Sequence, residues 1–168
     1  TLTWGTTTIT VPPSKPNFPN PGDINKTADK TAEENVDGTP KLVNYWTITV
    51  NPQHVPEQNV VITDKMTPGL ELAKDDMDTH QVKVTADQNN NDPVTLKSGT
   101  DYVLQPDADN HGFSIDLTNW LADSKNTAHT QSQITVTYAT YQTIQDDKQN
   151  NTAQYSTNDV KNKTTQPI

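Results

Sequence analysis

The segment Leu42–Val50, LVNYWTITV, alternates residue by residue: Trp46, Ile48 and Val50 fall on one side of an extended chain, and Tyr45, Thr47 and Thr49 on the other. A period of two cannot supply the apolar stripe of a helix, so it commits this part of the chain to a sheet with one buried face. Gln133–Tyr138, QITVTY, repeats the pattern with Ile134, Val136 and Tyr138 inward. Shorter strands are expected at Ile24–Ala28, Asn59–Lys65, Gln81–Ala86, Asp101–Leu104, Phe113–Leu117 and Ala153–Tyr155, with a last run near Val160. A polar, acidic stretch, Asp29–Pro40, follows the first of them. Turn-forming stretches separate the rest: Asn51–Glu57 with its two prolines, Thr67-Pro68-Gly69, Asp87–Pro93, Pro106–Gly112 and Gln145–Gln149. One helical turn is expected at Asn119–Ser124. Seven to nine short strands punctuated in this way indicate an antiparallel β-sandwich of Ig-like type.

The N-terminus reads differently. Thr1–Val11 is threonine-rich and β-prone, whereas Pro12–Pro21 is too dense in proline for any sheet and reads as an extended linker. Residues 1–21 are therefore expected to be a β-prone segment plus linker, and 22–168 the main domain. The first eleven residues are either the last strand of a preceding module or an addition to the sheet of this module or a neighbour.

Composition narrows the function. Only 30% of the 168 residues are hydrophobic, but they sit in the alternating runs, which argues for a folded chain. Twelve lysines and arginines face 21 acids, for a net charge of -9. That balance argues against nucleic acid and against an anionic membrane surface. There is no cysteine, hence no disulfide, thiolate metal site or thiol nucleophile. No apolar run approaches the roughly 20 residues that span a bilayer. No signal peptide or C-terminal sorting signal is visible, so a piece of a longer chain is expected.

Three segments break the alternation rule. In DINKTAD, Ile24, Lys26 and Ala28 share a face; in VVITDK, Val60, Ile62 and Asp64 do; in NNTAQY, Asn151, Ala153 and Tyr155 do. Each places a polar group where apolar neighbours point. A buried lysine, carboxyl and amide are costly unless they satisfy one another. They are also the three groups that make a covalent amide between two side chains. On residue pattern alone, Lys30 or Lys41 competes with Lys26, Asp116 or Glu71 with Asp64, and Asn150 with Asn151. Asn150 faces the opposite side in a regular strand, and Asp116, between Ile115 and Leu117, is expected to point outward.

The order of these segments is informative. A first-strand lysine (INKTAD) precedes ITDKMTPGLEL; FSIDL follows, and ITVTY leads into NNTAQYS. From Asp23 to Val160 this order resembles the isopeptide-forming Ig-like domains of Gram-positive fimbrial proteins and cell-wall-anchored adhesins. The T-D-x-x-x-x-G-L stretch and the late NTA carry most of the likeness. The resemblance implies a bond from Lys26 to Asn151, with Asp64 assisting. It also implies an extracellular, cell-wall-attached parent whose partners are neighbouring modules and, for an adhesin, a host surface ligand. The chain carries no LPxTG-type anchor and no pilin polymerisation motif.

The implied chemistry follows from burial. Burial disfavours an ammonium and frees a neutral, nucleophilic amine; it also favours a protonated carboxyl, which polarises an amide carbonyl and relays protons to departing ammonia. Such a reaction happens once, with no substrate, cofactor or turnover. Other sites are weaker. Asp107, Asp109, Asn110 and His111 cluster in one loop and Asp87–Asp92 in another, but neither has the spacing of a calcium loop. His54, His80, His111 and His129 lie in separate polar segments and are expected on the surface. No metal site is expected. Trp46 and Trp120 are expected to fill the core, and no G-x-S-x-G nucleophile turn occurs. The loops are rich in Asn, Asp, Gln and Thr and poor in exposed aromatics, which favours a stalk over a ligand-binding module that contacts host glycan or matrix protein.

Overall fold

The computed structural model describes residues 3–4, 23–66, 69–142, 150–156 and 163–164. The described residues form twelve strands: β1 (Thr3–Trp4), β2 (Ile24–Val36), β3 (Thr39–Val50), β4 (Val61–Met66), β5 (Leu70–Leu72), β6 (Lys83–Asp87), β7 (Val94–Thr95), β8 (Val103–Pro106), β9 (Gly112–Asp116), β10 (Gln133–Gln142), β11 (Asn150–Ser156) and β12 (Lys163–Thr164). A single α-helical turn, α1, covers Thr118–Leu121, where one turn was expected, and 3-10 turns cover Asp78–His80 and Thr127–Gln131.

Two six-stranded sheets form a sandwich. One has the order β1-β11-β4-β9-β8, with β12 also on β11; the other runs β2-β3-β10-β6-β7, with β5 also on β10. All pairs are antiparallel except β1 with β11. The Ig-like sandwich expected from the alternation is the fold observed. Trp46, Ile48 and Val50 of β3 meet Ile134, Val136 and Tyr138 of β10 in register, all at most 2% exposed. They face Ile62, Phe113 and Ile115 of the other sheet, which are fully buried. Phe113 packs edge-on against Tyr138, ring centroids 4.9 Å apart, and so pins the two sheets together.

The stretch Asp29–Pro40 differs from the sequence reading. It is mostly strand, and β2 and β3 form one long hairpin that turns at Asp37 and Gly38, both with positive φ (52° and 82°). The Asp-Gly pair supplies the left-handed backbone that a tight hairpin needs. As an edge strand, β2 needs no apolar face along its outer half. Ala28 pairs with Trp46 as Lys26 does with Ile48 and Ile24 with Val50, so the three share a face as expected, although Ala28 is exposed; the register slips just after it, at Asp29, between Ala28 and Lys30. The proline-rich linker Pro12–Pro21, the turn residues Thr67 and Pro68, the hairpin end Gln145–Gln149 and the run near Val160 lie outside the described residues. Of the first eleven residues, Thr3 and Trp4 pair with Asn150 and Asn151 of β11, which adds them to a sheet of this domain.

Candidate functional site

The inner faces of the two sheets bring Lys26 and Asp64 together. Lys26 projects from β2 between Ile24 and the bulge, with Ile48 as its cross-strand partner. Asp64 projects from β4 between Ile62 and Met66, with Phe113 opposite. Both side chains are 0% exposed, and Lys26 Nζ donates to Asp64 Oδ1 at 2.6 Å. The Trp46 and Tyr138 rings flank the same nitrogen, with centroids 4.8 and 5.6 Å away. Val60 and Ile62 are buried on the face of Asp64, as alternation requires.

The environment acts on the amine in opposite directions. Removal from water disfavours the ammonium; Asp64, by its charge and its hydrogen bond, favours it. Desolvation wins, and the Lys26 pKa falls from 10.5 to about 8. An ammonium has three N–H donors, and among the described residues Asp64 accepts one.

The third expected member is placed through its backbone. β11 runs beside β4, pairing Ala153 with Asp64 and Asn151 with Met66. Position 151 is therefore one step of the pleat from the residue that faces Asp64. β11 of one sheet also approaches β2 of the other. The side chain of Asn151 lies outside the described residues.

The competing candidates sit elsewhere. Lys30 is exposed and lies over the Tyr45 ring, and Lys41 over the Tyr141 ring, both centroids 4.4 Å away. Asp116 is exposed on β9, as expected, and Glu71 is exposed on β5. Asp107 pairs with Lys65 at 2.5 Å. In the other acidic loop, Asp87 accepts the backbone N–H of Asn90. Trp46 is buried in the core, and Trp120 packs partly buried against it, its ring stacked on His129 at 3.8 Å.

The histidines depart from expectation. His54 and His111 are half-buried, whereas His129 is buried and His80 is fully buried. His80 lies on the outer face of the β2-β3-β10 sheet, beside a small apolar cluster of Val36, Val43, Ala73, Ala139 and Tyr141. Its Nδ1 meets both oxygens of Asp75 at 3.0 and 2.9 Å. Its Nε2 meets Glu34 Oε2 at 3.2 Å and the Tyr45 hydroxyl at 3.1 Å, and that hydroxyl donates to Glu34 at 2.5 Å. The Tyr45 hydrogen bond holds the Glu34 carboxyl below its ordinary range. Burial and Glu34 together push the Tyr45 hydroxyl up to about 12. For Asp75, burial acts upward but the hydrogen bonds from His80 and the Met77 N–H outweigh it, and the net shift is down. Asp75 and His80 are five residues apart in a polar loop, so sequence offered no periodic signal for this cluster.

No protein-family description and no curated protein sequence matches the chain. Solved structures do. The full-length RrgB pilus protein of Streptococcus pneumoniae superposes with a TM-score of 0.56 at 21% identity, over 81% of this chain and 22% of its own. The collagen-binding subdomain ACE19 of the Enterococcus faecalis surface protein ACE gives 0.58 at 14% identity, over 92% of this chain and 99% of its own. The collagen-binding domain of a Staphylococcus aureus adhesin gives 0.55 at 14%, over 86% and 94%. The chain thus spans about a fifth of the full-length pilin and nearly the whole of the single adhesin domains. At these identities the likeness shows the fold, which is the β-sandwich shared by pilin and adhesin domains.

Proposed function

We propose that this chain is a structural module of a bacterial surface adhesin or pilus, stiffened by an intramolecular amide bond between Lys26 and Asn151. The observation that carries the reading is the fully buried Lys26–Asp64 pair, with its lowered amine pKa, on strands adjoining β11. In the proposed reaction the neutral Lys26 Nζ attacks Asn151 Cγ. The carbon–Nδ2 bond breaks, a proton passes from the amine to Nδ2 by way of Asp64, and ammonia leaves. Electrons and atoms balance without an oxidant or cofactor. Fixed partners in a folded core supply the rate by proximity.

The bond closes a loop from position 26 to position 151. By the chain-entropy argument for crosslinks, closing a loop of that length stabilises the fold by about 5 kcal/mol. It joins an edge strand of one sheet to a strand of the other, so tension between them loads a covalent bond in place of a hydrogen-bond ladder. Unlike a disulfide, it survives reduction. The setting of such a module is extracellular, attached to a Gram-positive cell wall through its parent, with neighbouring modules as partners. Among the described residues no helix is long and apolar enough to cross a membrane.

The near-complete overlap with collagen-binding domains supports a second reading, a module that binds a host matrix protein or glycan. Intact mass separates the two. A wild-type mass one ammonia below the sequence value, restored in Lys26→Ala, supports the crosslinked module. An unmodified wild-type mass, together with saturable binding of the fragment to immobilised collagen or to a glycan array, favours the ligand-binding module.

A further inference from the structure

The amine of Lys26 sits at the end of four rotatable bonds, and its direction has to be imposed from outside. The wall that imposes it is the Trp46 indole, 4.8 Å from Nζ, with Tyr138 beside it. The indole is itself held. Its Nε1–H donates to Thr140 Oγ1 at 2.9 Å, and Thr140, fully buried, is two residues along β10 from Tyr138. Phe113 fixes the Tyr138 ring from the opposite sheet. A threonine hydroxyl in this core is otherwise a cost, since valine would fill the same space without burying a polar group.

We infer that Thr140 is a positioning residue for the proposed crosslinking, acting through Trp46 to hold the Lys26 amine against Asp64. The inference rests on the crosslink reading and adds a residue that touches none of the reacting atoms. Without the hydroxyl, the indole N–H loses the acceptor that Thr140 supplies, the ring is no longer held from that side, and the amine loses its wall. The ring face also favours the ammonium over the neutral amine, so a turned ring changes the pH at which the amine becomes reactive.

The test follows the loss of ammonia by intact mass after a short pulse of cell-free synthesis, across a range of pH. In Thr140→Val the plateau rate falls about tenfold, the midpoint of the rate–pH curve moves to lower pH, and Thr140→Ser restores both. A loss of stability alone would leave that midpoint in place. Because the effect runs through the indole, Thr140→Val slows crosslinking no further in a Trp46→Phe background. Wild-type rate and midpoint in Thr140→Val would overturn the inference while the crosslink stands, as would an undiminished effect in the Trp46→Phe background. A wild-type protein that never loses ammonia would overturn the crosslink reading itself, and the role of Thr140 with it.

Discussion

The sheet β2-β3-β10-β6-β7 buries ionisable side chains on both faces, and it treats them in opposite ways. On the outer face His80 is fully enclosed, yet both ring nitrogens face hydrogen-bonding partners: Asp75 on one side, Glu34 and the Tyr45 hydroxyl on the other. On the inner face Lys26 is just as enclosed, and among the described residues it meets one carboxylate oxygen and two aromatic walls. A saturated polar cluster locks a structure and has little reason to change. Desolvation holds the Lys26 amine nearer its neutral form, the form the proposed attack needs. On the proposed reading the contrast separates a group kept for structure from a group poised for chemistry, although both are buried and ionisable.

The comparison is broken most severely at Asp64. Asp64→Ala removes the proton relay, so no ammonia is lost, and it leaves the Lys26 amine buried without its acid. Calorimetry should show a loss exceeding that of Asn151→Ala by about 3 kcal/mol, the lower end for a stranded buried charge, because lysine can shed its proton. Asn151→Ala comes next. It removes the crosslink and leaves the Lys26–Asp64 pair, and about 5 kcal/mol corresponds to a melting temperature lower by roughly 10–20 °C. His80→Ala on the outer face should cost about 2 kcal/mol by removing a hydrogen-bond partner from the Asp75 and Glu34 carboxylates. Its mass should still be one ammonia low, because that cluster takes no part in the chemistry.

The smallest effects are in pH dependence. The carboxyls of Glu34 and Asp75 have folded pKa values below their ordinary ones. Their stabilisation is therefore fully present above the unfolded carboxylate range and is lost as pH falls through the depressed folded values. Melting curves taken from neutral pH into acid should steepen there, and Glu34→Gln or Asp75→Asn should flatten that limb by about 1 kcal/mol each. Lys26 has the same sign in a higher pH window. Its folded pKa of about 8 lies below the ordinary 10.5, so an uncrosslinked Asn151→Ala protein gains stability as pH rises from 8 toward 10.5. The crosslinked protein has no amine left to titrate and should lack this rise.

Alternation made the inner face legible. The faces of Trp46, Ile48 and Val50, of Ile134, Val136 and Tyr138, and of Val60, Ile62 and Asp64 are as a period of two requires. Lys26 and Asp64 were readable because a polar residue inside such a run has nowhere else to point. The same rule places Ala28 on the face of Ile24 and Lys26 but carries no information on the register slip at Asp29, beside which Ala28 is exposed. It is silent over Asp29–Pro40, because the outer half of an edge strand needs no apolar face, and there the Asp37-Gly38 pair is the only local hairpin signal. His80 was illegible for a different reason: its partners come from three separate elements, and only the folded chain gathers them. Thr140 escaped notice because a single threonine in a threonine-rich strand carries no pattern.

The most direct measurement is tandem mass spectrometry of a tryptic digest of the whole protein. A crosslinked Lys26 resists trypsin, so the account predicts one branched peptide in which the Lys26 side-chain nitrogen is bonded to the side-chain carbonyl of residue 151. Two linear peptides, with cleavage after Lys26 and an intact Asn151, would contradict it.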